Sequence, residues 1–178
     1  MRGIDDALRT ELAAMDAADQ ASRARGADRS QEAMRAARKA DAARAARLEE
    51  IVALHGWPGR SLVGDEGATA AWIITQHADH DVRFQERMLE RLRDCVDGDD
   101  ASVKHAAYLA DRVCVNRGRP QIYGTQFGGA GETYGPRSIA DPTGLDERRA
   151  GVGLGPFAEY ERHMRAVEAD DRGAGDAA

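Results

Sequence analysis

Apolar side chains recur every three to four positions through Ile4, Leu8, Leu12 and Met15, so the hydrophobic pattern predicts an amphipathic helix over residues 4–25, ended by Gly26. Asp28 or Ser30 can cap a second helix reaching His55; its Ala-Arg-rich middle offers few large side chains beyond Met34, Leu48, Ile51 and Val52. Gly56-Trp57-Pro58-Gly59 stops that helix, because proline cannot continue it, and Trp57 is left free to plug the core. Ser61-Leu62-Val63-Gly64 then reads as a connection to a third helix, whose start is marked by Asp65 and Glu66 at its positive end. Phe84, Met88, Leu92 and Cys95 form the next stripe, over 81–96, and a further helix runs from Ala101 to about Asn116, closed by Gly118 and Pro120.

After Pro120 the period falls to two. Gln121, Tyr123, Thr125 and Phe127 alternate with Ile122, Gly124 and Gln126, and Gly128-Gly129-Ala130-Gly131 follows. The segment therefore predicts a short strand and a glycine-rich turn, with Glu132 to Ile139 returning. A short helix over 145–152 and a closing helix through Phe157, Tyr160, Met164 and Val167 complete the pattern, and 169–178 reads as a disordered tail. The expected fold is mainly α: a single helical domain over 1–168 of five to seven helices with a small β-hairpin after Pro120. It comprises an N-terminal helical hairpin (4–55) and a central part (56–168).

Composition narrows the function classes. At 178 residues one domain is expected; apolar residues reach 42% while aromatics are only 5%, which points to a lean, alanine-rich helical core. The net charge of −6 argues against broad nucleic-acid binding, which needs a surplus of lysine and arginine. No apolar run approaches the roughly 20 residues that cross a bilayer, and a cytoplasmic protein is expected. Cys95 and Cys114 sit on separate predicted helices and read as packing thiols.

Two dense polar stretches are candidates for chemistry. On the third helix, Ile73, His77 and Asp81 are expected to follow one another down one side, with Gln76 and His80 on the adjoining strip. Imidazoles at that spacing can move protons while a carboxylate orients them, can bind a metal as His77, His80 or His105 with Asp81, or can simply cap a helix or hydrogen-bond in the core. On the fifth helix, His105, Leu109, Arg112 and Asn116 share a side, with Tyr108 beside them, and Asp111 is available to pair with Arg112. The extended segment that follows can aim Gln121, Tyr123 and Gln126 into a common pocket. No phosphate-loop or dinucleotide fingerprint is present.

A set of short motifs carries a resemblance. Gly56-Trp57-Pro58, Ser61-Leu62-Val63-Gly64, Ala71-Trp72, Gln76-His77-Ala78, Phe84-Gln85, Tyr108-Leu109, Asp111-Arg112-Val113, Asn116, Gly118, Pro120-Gln121, Tyr123-Gly124-Thr125-Gln126-Phe127, Asp146-Glu147-Arg148-Arg149 and Val152-Gly153-Leu154 resemble a bacterial family, the domain of unknown function 6624, over roughly 4–168. The resemblance implies a shared fold and no activity. It also extends to Asp19, Gln20 and Arg23 on the first helix; on the second, Arg44 stands where the family pattern would have an asparagine.

The leading expectation is an enzyme that acts on a small polar or anionic molecule or a peptide by acid–base hydrolysis or group transfer, without a cofactor. His77 or His80 would move the proton, Asp81 or Asp111 would orient the base or pair with Arg112, and Arg112 with Gln121, Tyr123 and Gln126 would hold the substrate. Two alternatives stand beside it: a non-catalytic interaction module with a structural polar core, and a helical His/Asp metal-site protein. No nucleic-acid or membrane partner is expected, and the N-terminal helices are candidates for meeting a second copy of the chain.

Overall fold

The computed structural model describes residues 3–24 and 30–175. Seven α-helices and one two-stranded antiparallel ribbon make up the regular structure among these residues, so the fold is mainly α with a small hairpin after Pro120. The helices are α1 (Asp6–Arg23), α2 (Gln31–His55), α3 (Arg60–His77), α4 (Val82–Val96), α5 (Val103–Asn116), α6 (Leu145–Gly151) and α7 (Phe157–Gly175). The expected stop at Gly26 and the cap at Asp28 lie outside the described residues. The chain divides into two compact units, Met1–Ser102 and Val103–Ala178.

In the first unit, side-chain caps set the helix starts. Asp5 accepts from Leu8 N at 2.9 Å, Ser30 from Ala33 N at 3.2 Å and Asp81 from Phe84 N at 3.0 Å, each satisfying an otherwise orphaned amide of the first turn. Helix α1 lies along α3, and α2 and α4 also pack on α3. Small residues permit that central position: a side chain at Gly67 would collide with Val63, and the Arg9 backbone of α1 passes 3.6 Å from where its Cβ would stand. Leu8, Leu12, Leu48, Ile51, Val63, Ile74, Phe84 and Leu92 fill the core, and Trp57 is buried as expected.

The connection read at Ser61–Gly64 is a helical turn followed by a sharp break, at Gly64 (φ 70°, ψ 176°), a conformation that residues bearing a Cβ rarely adopt. The main run of α3 therefore starts at Asp65, where the charge pattern placed it. Its other end differs from expectation. Helix α3 stops at His77, Ala78–Asp81 form a turn with Ala78 N donating to Thr75 O at 3.3 Å, and Asp81 is spent capping α4. His77, His80 and Asp81 do not share one helical turn, because the Asp81 cap competes successfully with continuation of α3.

In the second unit, α5 ends at Asn116, where Gly118 (φ 67°) and Pro120 follow. The expected strand over 121–127 is shorter than the alternation suggested. Only β1 (Phe127–Gly128) pairs with β2 (Gly135–Pro136), with a 3-10 turn at Gly131–Thr133 between them, while Gln121 makes an isolated bridge to Ile139. Residues 122–125 are drawn instead onto a side chain of α5. Helix α7 packs on α6 and β2, and continues through Gly175 rather than fraying at 169; Glu168 accepts from Gly131 N at 3.4 Å and faces Arg172 one turn on. Residues 176–178 of the expected tail lie outside the described residues.

Candidate functional site

The densest cluster of ionisable groups in the first unit forms where three helices meet. Helix α1 presents Leu8 and Leu12 to the core, and Asp19 continues that same buried face, fully inaccessible to solvent. A carboxylate there requires partners, since an isolated buried charge costs roughly several kcal/mol. They come from each neighbouring helix. His77, the last residue of α3, places Nδ1 2.5 Å from Asp19 Oδ2. Arg23, one turn along α1, donates Nη1 to Asp19 Oδ1 at 2.6 Å and Nη2 to Asp41 Oδ2 of α2 at 3.0 Å. Arg44 donates Nη2 to Asp19 Oδ1 at 3.1 Å and also to Asp41.

Burial grades across this cluster. The Asp19 side chain is 1% exposed, Arg44 11%, His77 26% and Arg23 31%. The carboxylate is thus sealed and the imidazole and one guanidinium reach solvent. Burial by itself would push the Asp19 carboxyl upward; the hydrogen bond and charge of His77, with the charges of Arg23 and Arg44, outweigh it and hold the carboxyl below the usual range. With Nδ1 committed to Asp19, Nε2 is the nitrogen that forms no hydrogen bond among the described residues.

The remaining histidine-strip residues do other things. His80 is exposed on the turn after α3, and Gln76 is buried, with its backbone carbonyl taking the side chain of the fully buried Gln85 at 3.2 Å. Among the described residues, no group of three or more His, Cys, Asp or Glu could hold a metal ion.

The second unit has its own buried polar centre. Asp111 of α5, fully buried, accepts from the amides of Ile122 (2.6 Å), Tyr123 (2.9 Å) and Thr125 (2.9 Å) and from Thr125 Oγ1 (2.9 Å), wrapping residues 122–125 around one carboxylate. Gln121 is also fully buried; its Nε2 donates to Gln126 O and Arg137 O, and its Oε1 accepts from Gln126 N. Arg112 donates to Gln126 Oε1 at 3.1 Å. Tyr123 is fixed through its backbone: its carbonyl accepts from Nη1 of Arg149, which is 2% exposed and also donates Nε to Gly155 O, both at 2.7 Å. That guanidinium lies 5.1 Å from the ring centroid of Tyr160. Burial, with a hydrogen bond to Tyr108, pushes the Tyr160 phenol well above its usual value.

Residues 6–170 match the model of a family of unknown function, DUF6624. The chain belongs to that family. No curated protein and no solved structure matches it. The DUF6624 match spans both units, and so covers both the Asp19–His77 cluster and the Asp111 loop.

The sequence-predicted residues of this DUF6624 chain thus separate by unit. His77, His80, Asp81 and Gln76 belong to the first; His105, Tyr108, Asp111, Arg112, Asn116, Gln121, Tyr123 and Gln126 belong to the second. Arg112, Gln121, Gln126 and the Tyr123 backbone meet in one hydrogen-bonded loop, whereas Asn116 is exposed at the end of α5 and His105 is half-buried nearer its start. Asp111 pairs with backbone amides and the Thr125 hydroxyl rather than with Arg112. Two groups of residues escaped site assignment from the pattern. Asp19 prolongs the Leu8–Leu12–Met15 stripe, and Asp41 and Arg44 prolong the Leu48–Val52 stripe of α2; a charge placed where an apolar side chain is due was the available signal. Arg149, one turn after buried Leu145, carries the same signal in α6.

Proposed function

We propose that this DUF6624 protein is an acid–base enzyme in which His77 moves a proton to and from a small polar or anionic substrate or a peptide, in a hydrolysis or group transfer. The observation that carries the reading is the contact of 2.5 Å between His77 Nδ1 and the sealed Asp19 carboxylate. A carboxylate accepting from Nδ1–H fixes the tautomer whose Nε2 lone pair can take a proton from water or a hydroxyl. The same carboxylate stabilises the imidazolium that results, and Nε2–H then serves the leaving group. In the cluster, Asp19 and Asp41 balance Arg23 and Arg44. A protonated His77 therefore leaves one net positive charge, which favours an anionic substrate or negative charge developing in the transition state. Arg23, the more exposed guanidinium, is the group placed to meet that charge. Asp19, rather than Asp81 or Asp111, is the residue that orients the base.

The test is turnover of p-nitrophenyl acetate, bis(p-nitrophenyl) phosphate and an amino-acid p-nitroanilide by wild type, His77→Ala and Asp19→Asn. General acid–base catalysis predicts that one class is turned over and that His77→Ala loses about 10²–10⁴-fold. Wild-type rates equal to those of His77→Ala on all three would refute the reading. They would favour the alternative, a structural ion network in an interaction module, to which the mutual pairing of both carboxylates and both guanidinium groups also lends itself.

A further inference from the structure

The first unit also holds a concavity that shares no residue with the His77 cluster. It is a cleft of about 730 Å³ between the start of the chain, the end of α2 and the first turn of α3. That volume lies within the range of small-molecule sites, roughly 300–1,000 Å³. Ile4, Leu54, Leu62 and Trp57 supply its apolar wall. Leu54 is 79% exposed and Ile4 48%, so two of the chain's exposed large hydrophobic side chains open onto one cleft rather than being scattered.

Three polar side chains converge there: His55, Arg60 and Asp100. Asp100 is held rigidly, accepting from Ser61 N at 2.6 Å and Ser61 Oγ at 3.0 Å while its carbonyl takes Arg60 N at 2.9 Å. Arg60 uses Nε on Asp65 (2.8 Å) and Nη1 on Asp99 (3.0 Å), leaving Nη2 without a hydrogen bond among the described residues. His55 is exposed and forms none there either. A ligand carrying only negative charge would meet the Asp100 carboxylate; one carrying only positive charge would meet the Arg60 guanidinium. A ligand with both charges on an apolar body satisfies each group.

We infer that this cleft binds a zwitterion with an apolar side chain, an α-amino acid or a short free peptide. Its carboxylate meets Arg60 Nη2 and His55, its ammonium faces Asp100, and its side chain lies on Leu54, Leu62 and Trp57. Titration of the full chain with L-phenylalanine and with L-leucyl-L-phenylalanine, followed by amide NMR shifts and tryptophan fluorescence, tests the assignment and separates the two sources. Saturable binding of either is expected, with 3-phenylpropionate and 2-phenylethylamine, which each lack one charge, at least tenfold weaker. Leu54→Asp, on a side chain too exposed to matter for folding, should weaken binding at least tenfold, and Arg60→Gln should abolish the preference for the zwitterion over 2-phenylethylamine. Should Arg60→Gln fail to fold, Leu54→Asp and the two analogues decide. No saturation up to about 10 mM, equal affinity for either analogue, or a dimer that Leu54→Asp splits would each overturn the assignment, the last by showing that a second copy covers the cleft. Because the two sites share no residue, any of these results leaves the His77 reading standing.

Discussion

Replacing Asp19 by asparagine keeps the shape of the side chain and removes its charge, which makes it the sharpest probe of the three-helix cluster. In the native chain one oxygen takes Arg23 and Arg44 and the other takes His77. Asparagine has one oxygen and one NH₂, so at least one native donor would face another donor. Removing one partner of a buried ion pair costs about 3–5 kcal/mol. Arg44 keeps Asp41 as a partner and the Arg23 side chain is 31% exposed, so both guanidinium groups recover part of that loss. The expected cost is therefore about 2–4 kcal/mol, a fall in melting temperature of roughly 5–12 °C for a chain of this size. Both tryptophans, Trp57 and Trp72, belong to the first unit, so urea unfolding followed by tryptophan fluorescence reads the affected unit directly.

The same variant carries a pH prediction. The Asp19 carboxyl is depressed in the folded chain, so its contribution is complete above the ordinary unfolded value of about 3.9 and is lost as pH falls through the lower folded value. The stability gap between wild type and Asp19→Asn should therefore narrow as pH falls below about 4. A cost under about 0.5 kcal/mol, the range of exposed surface pairs, or a gap that stays constant through the acid window, would refute the reasoning.

Two further outcomes follow from the second unit, whose four tyrosines, at 108, 123, 134 and 160, make near-ultraviolet dichroism its natural probe. Arg149→Lys keeps the charge but cannot reach Gly155 O and Tyr123 O together, and should cost about 2–3 kcal/mol, seen as earlier loss of the tyrosine signal; an unchanged midpoint would show that the fork geometry is idle. Asp111→Asn turns an NH₂ toward amide donors and should cost about 2–4 kcal/mol, with hydrogen exchange accelerating at Ile122, Tyr123 and Thr125 before α5 responds. Uniform exchange across the unit would contradict the view that this carboxylate holds the loop amides.

The helices of this protein are local events and were legible from the chain. Periodic apolar positions, a capping residue such as Ser30, and a break such as Gly56-Trp57-Pro58-Gly59 act over four or five residues, and the mainly α fold with its hairpin after Pro120 follows from them. Tertiary structure decided which charged side chain meets which. Asp19 and His77 lie 58 positions apart, and only the packing of α1 on α3, made close by Gly67 and the alanines beside it, turns an acid in an apolar stripe into the partner of the imidazole. The same holds for Asp81 and Asp111: in sequence each reads as an acid available to orient a base or pair with Arg112, and each is taken up by backbone amides, Asp81 at the start of α4 and Asp111 in the 122–125 loop. The need of a buried carboxylate for donors is written in its residue type, whereas the identity of the donors depends on distances that only the folded backbone sets.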